Sequence, residues 1–482
     1  MSLRISCPAR YTEAVTYSAD QSEALEKIAD WYRKAPRTTY CTDDDCGGPA
    51  RPHTHGTAQQ YPAISLGGLA GVGKTHLMGQ LSRELGCSVA YATPTNKAAA
   101  VLRGKLPAGQ AEHVRTYHSL LYYTVANYRC RTSGRRVQEV PCACGASQRG
   151  EDQCGCPRRF LPCSPGASHT CTVRADLKFE LRENVGGHRD LIVLDESSMI
   201  TDARIEEIRS LGLPVLVCGD HGQLPPVKEK MNRYMMCPDV QLSTNYRQTE
   251  PNGIVAVALQ ARETGAVVPG VYGDGSTAVV RYRDNPDVLD CMSPERFPPG
   301  PERVIITSTN AMRSKINLEL HGGGRLPRAG DRVVSLENNL TGAERMEQRW
   351  GQWIRMENAE PVPVWNGMCG TVRGVNPYGN TNENLAELMI ELDRLPGEAA
   401  AGACIQALCA VRQFGADQRI RPDQSVRGAA LWDYSYAVTA HKAQGSEFRD
   451  VVVLDTGAPE WRRWMYTAIT RAKERLVVIG WK

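Results

Sequence analysis

The stretch Gly68-Leu69-Ala70-Gly71-Val72-Gly73-Lys74-Thr75 constrains this chain more than any other. It fits G-x-x-x-x-G-K-[ST]. An apolar run that reads as a strand, Ala63-Ile64-Ser65-Leu66, precedes it, and Leu77-Met78-Gly79-Gln80-Leu81, which reads as a helix, follows. Strand, loop and helix in that order are what a phosphate-binding loop needs. Glycines let backbone N–H groups turn onto phosphate oxygens, and the helix N-terminus adds positive potential. Lys74 would then reach the β- and γ-phosphates, and the Thr75 hydroxyl would ligate Mg²⁺. The plain alternative is a glycine-rich turn before a helix. On the first reading Gly68, Gly71, Gly73, Lys74 and Thr75 bind a nucleoside triphosphate, and the rest of the chain must say to what end.

Two polar segments follow further strand-like runs. Asp195-Glu196-Ser197-Ser198-Met199 follows Leu191-Ile192-Val193-Leu194, and Gly219-Asp220-His221-Gly222-Gln223-Leu224-Pro225-Pro226 follows Pro214-Val215-Leu216-Val217-Cys218. Asp195 can hold Mg²⁺ and Glu196 can polarise an attacking water. Gln223 is uncharged and two-ended, suited to a γ-phosphate or to orienting water. With Ser88-Val89-Ala90-Tyr91-Ala92, these runs predict a parallel sheet with chemistry at the carboxyl ends of its strands. A helical lead-in over residues 10–35 has a capped start at Ser18-Ala19-Asp20-Gln21. Val304-Ile305-Ile306-Thr307, Val451-Val452-Val453-Leu454 and Leu476-Val477-Val478-Ile479 predict a second α/β domain. It is interrupted by short strands around Gly330 to Val334, Gly370 to Val372 and Leu388 to Leu392, the pattern of a small β-barrel. Trp350, Trp353 and Trp365 in that region read as core, with stacking as the alternative. No internal repeat is legible.

A chain of 482 residues has room for several domains. Its net charge of +4 is small, so a nucleic-acid footprint must be local. No apolar run reaches the roughly 18 residues of a membrane span, and the first residues lack a signal-peptide core. The expected partners therefore exclude a membrane. The expected location is the cytoplasm of a bacterial or phage-infected cell, where disulfides are disfavoured. Seventeen cysteines are many for that setting. Cys130, Cys142, Cys144, Cys154, Cys156, Cys163 and Cys171 crowd one segment with His169, and Cys41 and Cys46 lie near His53 and His55. Such clusters suggest Zn²⁺.

Further segments complete a set. They are Thr93-Pro94-Thr95-Asn96-Lys97, Thr116-Tyr117-His118-Ser119, Asn245-Tyr246-Arg247-Gln248, Thr309-Asn310 with Ile316-Asn317, Tyr436 to Glu447, and Tyr466-Thr467-Ala468-Ile469-Thr470-Arg471. In this order the segments resemble a superfamily 1B DNA helicase of the RecD/Dda type over nearly the whole chain. The resemblance implies an α/β fold of two RecA-like domains, with an inserted Cys-rich module and an inserted SH3-like β-barrel. It implies a first domain over 1–120 and 188–248 around a Cys-rich module at 121–187, and a second over 249–328 and 431–482 around a barrel at 329–430. It further implies an ATP-dependent motor moving 5′ to 3′ on single-stranded DNA and unwinding forked or tailed duplex. Gln21 would read adenine, Glu447 would join the nucleotide site, and Arg247 and Arg471 would reach the γ-phosphate. A fixed guanidinium fork suits phosphoryl oxygens. Thr95, Asn96, Thr116 and His118 on the first domain, and Asn310, Thr439, His441 and Lys442 on the second, would contact the strand. Hydroxyls, amides and imidazoles suit backbone contact without sequence readout.

The Cys-rich segment departs from that family, where the interval holds a small β-hairpin pin. Cys142-x-Cys144 and Cys154-x-Cys156 are tighter than C-x₂-C. Eight potential ligands match two four-coordinate zinc ions, with free thiols and disulfides as alternatives. Arg129, Arg131, Arg135, Arg136, Arg149, Arg158, Arg159 and Arg174 suit duplex phosphates. The rival readings are a translocase subunit of a nuclease complex and an RNA helicase. The expectation is a free-standing monomer in replication, recombination or repair, with single-strand-binding or replication proteins as further partners.

Overall fold

The computed structural model describes residues 17–35, 62–130, 136–137, 139–140, 159–160, 173–182, 189–243, 253–349, 351–356, 359, 361–377, 383–394, 402–421, 423–426 and 428–480. The chain divides into two compact units, Met1–Tyr117 with Gly187–Lys482, and His118–Gly186.

The larger unit holds three sheets. In the first, six parallel strands run in the order Val240–Leu242, Ala63–Gly68, Val215–Gly219, Leu191–Leu194, Val89–Thr93, Val114–Thr116. A parallel strand covered on both faces must be apolar throughout. Leu191, Ile192, Val193 and Leu194 are all fully buried, each worth about 1.5–3 kcal/mol of transfer free energy. The helix Ala19–Lys34 starts in a capping box, where Ser18 Oγ accepts from Gln21 N–H and Gln21 Oε1 accepts from Ser18 N–H. The helix Lys74–Leu85 is fixed to the sheet by the buried Tyr91 hydroxyl, which donates to Met78 O at 3.0 Å.

The second sheet runs Gly270–Tyr272, Thr277–Arg281, Ala472–Gly480, Phe448–Asp455, Arg303–Thr307, Ala437–Thr439, parallel except at its first pair. The region expected to be a barrel is an antiparallel sheet. Its strands run Gln352–Arg355, Asn339–Arg349, Cys404–Ala410, Leu385–Leu392, Cys369–Pro377, Arg332–Ser335, Trp432–Tyr434, with Val362–Val364 against Asn339–Arg349. Trp432–Tyr434 thus pairs in this sheet, beyond the expected boundary at 430. Trp365 packs on this sheet's core, Trp353 is half-buried on its hairpin, and Trp350 lies outside the described residues.

The two parallel sheets share a short repeat that the sequence hides. Thr93 pairs beside Thr116, and Thr307 beside Thr439. Thr93 Oγ1 donates to Thr95 O at 2.9 Å, and Thr307 Oγ1 donates to Thr309 O at 3.3 Å. Thr95 and Thr309 each N-cap a helix that opens on an asparagine, Asn96 or Asn310. The neighbouring strands lead to Thr116-Tyr-His118 and Thr439-Ala-His441. The matching residues are few and lie far apart in sequence, so periodicity does not reveal them.

The helix Asn310–His321 joins the second sheet to the antiparallel one through a buried polar stripe at i, i+4, i+8. Arg313 pairs with Asp433 at 2.5 Å, and Asn317 bonds the backbone of Tyr434 and Ala437. His321 lies 3.2 Å from Asp331. Arg313 and Asp433 are 4% and 0% exposed, and Gly415 and Tyr434 N–H groups complete the carboxylate's shell.

The second unit is built on a long antiparallel pair, Tyr122–Cys130 with Val173–Leu181, in register from Tyr122↔Leu181 to Cys130↔Val173. Arg136–Val137 adds a third strand. Phe179 and Leu181 are exposed. These strands lie within 121–187, the interval for which a pin was expected. Only the backbone of Cys130 belongs to the described part of the cluster. Cys142, Cys144, Cys154, Cys156, Cys163, His169 and Cys171, with Cys41, Cys46, His53 and His55, lie outside it.

Breaking a buried ion pair strands a charge. Arg313→Met should therefore cost about 3–5 kcal/mol in denaturant unfolding. A variant unfolding at the wild-type midpoint would remove this seam from the account.

Candidate nucleotide-binding cleft

The carboxyl ends of the first sheet's strands deliver the site. Gly71 and Gly73 have φ of 87° and 86°, which residues with a Cβ rarely adopt, and they turn the loop into the helix Lys74–Leu85. Lys74 Nζ donates to the loop's own Gly68 O and Leu69 O, at 2.7 and 2.9 Å. Asp195 N–H extends the sheet by donating to Ala92 O.

Glu196 follows with φ 51°, left-handed for a residue with a Cβ. Such a conformation costs of order 1–3 kcal/mol and persists only when its surroundings fix it. Here they do. Ser197 Oγ donates to Cys218 O at 2.5 Å, and the buried Asn232 amide donates to Ser197 O and Ile200 O at 2.7 and 2.9 Å. Burial pushes both carboxyls up from their ordinary range. The Glu196 N–H and Lys74 oppose this at Asp195, and Arg471 and Lys74 oppose it at Glu196, where Asp195 adds to the rise.

The cleft of about 260 Å³ brings Lys74, Thr75, Asp195, Glu196 and Gln223 to Glu447 and Arg471. Arg471 is buried and donates to Thr467 O and Ser446 O. Gln223 Oε1 is buried without a partner among the described residues, while Nε2 lies 3.4 Å from Asp220. Lys105 bonds Glu447 at 2.8 Å across the cleft. Gly445 is close enough that a Cβ there would lie 2.8 Å from Ala98 Cβ. The segment Gly219–Pro226 is clasped by residues around the second sheet, for Leu224 N–H donates to Thr467 Oγ1 and Gln444 Nε2 donates to Leu224 O.

Other expected residues lie elsewhere. Gln21 is buried behind the loop, with its carboxamide used by the helix cap and 3.5 Å from Val72 O. Thr95 caps its helix, accepting from Ala98 N–H, and Asn96 opens that helix. Asn310 is exposed at its helix start, and Thr439, His441 and Lys442 form the turn after Ala437–Thr439. His118 belongs to the second unit, its ring 6.3 Å from Tyr122. Arg247 lies outside the described residues. Sequence reading missed Asn232, Lys105, Asp220 and Tyr466. Asp220 and Tyr466 stood inside quoted motifs, while Asn232 and Lys105 carry no local signal.

Among the described residues no group of three or more His, Cys, Asp or Glu is placed to hold a metal ion. The donor set of Thr75 and Asp195 is still one a hard cation prefers. Asp195, a partly exposed carboxylate, makes no ion pair among the described residues, which suits a cation beside it.

The sequence profile described as an AAA domain matches residues 54–277, and that described as a UvrD-like helicase C-terminal domain matches 434–479. The chain is 25% identical over 342 residues to the RecBCD enzyme subunit RecD of Mycobacterium tuberculosis, which covers 67% of this chain and 53% of that protein. It is 26% identical over 318 residues to the ATP-dependent RecD2 DNA helicase of Deinococcus radiodurans, covering 60% and 36%. The chain thus spans about half or less of the length of these curated relatives. Among solved structures, Pif1 helicase from Candida albicans aligns with TM-score 0.47 at 14% identity, over 97% of this chain and 94% of that one. Bacteroides Pif1 bound to ssDNA aligns with TM-score 0.45 at 17% identity, over 95% and 92%.

Asn232→Ala would leave Ile200 O without a partner among the described residues, and Ser197 O with the Ile200 N–H alone, beneath Glu196. Equilibrium unfolding should show a loss of about 2 kcal/mol. An unshifted transition would mean that the Glu196 turn stands without Asn232.

Proposed function

We propose that this chain, which belongs by motif order and by its two matched domains to the RecD-type superfamily 1B helicases, hydrolyses ATP to move 5′ to 3′ along single-stranded DNA and to unwind duplex. The observation that carries the reading is the meeting of Lys74, Asp195, Glu196 and Gln223 with Glu447 and Arg471 in one cleft.

In this reading Lys74 exchanges its two loop carbonyls for phosphate oxygens. Thr75 and Asp195 would hold Mg²⁺, which would supply neutralising charge to the phosphates. Glu196 orients the attacking water and takes its proton, and Gln223 Oε1 serves the same water or the γ-phosphate. Arg471, with Arg247, carries the charge of the transferring phosphoryl group. Gln21 reads adenine once its carboxamide releases Val72 O. Glu447 joins the nucleotide site once it parts from Lys105. Because the cleft is closed by groups from both domains, each cycle of binding and release shifts one domain against the other.

Thr95, Asn96, Thr116 and His118, with Asn310, Thr439, His441 and Lys442, form the strand track of this motor. The repeated layout of the two sheets supports that assignment. Two RecA-like domains at 1–120 with 188–248 and at 249–328 with 431–482, an SH3-like barrel near 329–430 and a zinc-stapled pin at 121–187 complete the reading. Cys130, Cys142, Cys144, Cys154, Cys156, Cys163, His169 and Cys171 are the first ligand set for Zn²⁺, and Cys41, Cys46, His53 and His55 the second. A segment so poor in apolar residues needs such staples. A free-standing cytoplasmic monomer serving replication, recombination or repair is the simplest setting. The likeness to a RecBCD subunit favours one second reading, a translocase within a nuclease complex.

Strand separation on 5′-tailed and 3′-tailed partial duplexes tests the motor. Only the 5′-tailed substrate should open. Opening of the 3′-tailed one alone would overturn the polarity, and ATPase stimulated by DNA without unwinding would favour the translocase subunit. Glu196→Gln should lower turnover by roughly 10²–10⁴-fold with nucleotide still bound. Metal analysis of folded protein should find zinc, and its absence would remove the staple.

A further inference from the structure

The Tyr466 hydroxyl stands where three segments of the cleft meet. It accepts from Ala70 N–H of the phosphate loop at 2.9 Å and donates to Asp220 Oδ2 at 2.7 Å. Tyr466 is 2% exposed and Asp220 is 1% exposed, so neither group has water to replace the other. Asp220 Oδ1 accepts from Gly222 N–H at 2.9 Å, and Asp220 Oδ2 also faces Gln223 Nε2 at 3.4 Å. A Cβ at Gly222 would lie 3.1 Å from the tyrosine ring, a tight contact that would shift the ring by a few tenths of an ångström. Tyr466 sits on the helix Trp461–Ile469, which leads directly into Arg471. The next residue, Thr467, accepts from Leu224 N–H and gives its carbonyl to Arg471 Nε.

From this geometry we propose that Tyr466 is a positioning residue for ATP hydrolysis, holding the phosphate loop at Ala70 and, through Asp220, aiming the Gln223 carboxamide in register with Arg471. The inference rests on the ATPase reading and deepens it. One hydroxyl ties the loop that holds phosphates, the glutamine that faces them and the helix that carries the arginine. Gln223 Oε1 has no partner of its own among the described residues, so its aim is set through Nε2 and the chain around Asp220. Burial raises the phenol well above its ordinary range, so the hydroxyl keeps the proton it donates. Arg471 and Gln223 touch the site, and Tyr466 acts through them. The group that aligns the two domains is thus distinct from those that meet the phosphates.

The test is steady-state ATP hydrolysis with saturating single-stranded DNA, comparing the wild type with Tyr466→Phe, Asp220→Asn and the double variant, together with nucleotide binding and thermal unfolding. Tyr466→Phe keeps the ring and removes only the hydroxyl. Its kcat should fall about tenfold or more while KM for ATP and nucleotide affinity change less than about threefold. Asp220→Asn should lower kcat similarly, and the double variant should be no worse than the worse single, because both break one link. A Phe variant with wild-type kcat overturns the proposal. So does a loss confined to KM or melting temperature, which marks a purely structural bond. Should the Phe variant fail to fold, Asp220→Asn carries the decision, and an unchanged kcat there overturns the proposal as well. A wild type that hydrolyses no ATP overturns the ATPase reading and this inference together, whereas an active wild type with indifferent variants overturns this inference alone.

Discussion

Everything in the nucleotide cleft follows from the cost of placing two adjacent carboxylates at the end of a strand with no exposed side. Leu191–Leu194 buries all four side chains, and the chain then presents Asp195 and Glu196 to a cleft that residues from around both parallel sheets line. Desolvation alone would neutralise such acids. The surroundings answer with Lys74 and Arg471, with the Glu196 N–H turned onto Asp195, and with a turn held by Asn232. Positive charge comes from Lys74 of the loop on one side and from Arg471 on the other. Without Arg471 the balance at Glu196 would tip further toward the neutral acid.

The sequence was most readable where local chemistry decides local structure. The loop glycines, the capping box at Ser18 and Gln21, and the apolar runs of both sheets appear where periodicity and capping put them. The first-domain acids, Gln223 and Arg471 also reach one cleft, because each sits at a strand or helix end whose direction the motif implies. Long-range pairings were not readable. Nothing near Lys105 points to Glu447, and nothing near Asn232 points to Ser197, since each pair meets only after the sheet is assembled. Gln21 shows a different limit. A residue type suited to reading a base is equally suited to closing a helix cap, and the structure shows the second use. The extent of the antiparallel sheet was likewise blurred. Trp432–Tyr434 looks like the approach to the second domain but hydrogen-bonds back to Arg332–Ser335.

The helix Asn310–His321 shows how an inserted sheet is held by a polar stripe set beside the apolar contacts of Leu318 and Leu320. Arg313, Asn317 and His321 form one stripe, and each finds a specific partner across it. A polar seam fixes one register, because a shifted helix would strand several buried groups at once. An apolar seam of the same area would tolerate sliding. A protein whose parts move relative to one another gains from having at least one junction that cannot.

The repeat shared by the two parallel sheets has a kinetic consequence. Thr95, Asn96 and Thr116 in one sheet and Thr309, Asn310 and Thr439 in the other offer the same hydroxyls and amides in the same layout. At equilibrium, detailed balance allows no net travel along a bound polymer, whatever the grip of each set. If both hold one polymer, the bias must come from timing, with one set loosened while the nucleotide cleft is shut and the other while it is open. The asymmetry of travel would then reside in the chemistry at Glu196 and Arg471 and not in the surface that touches the track.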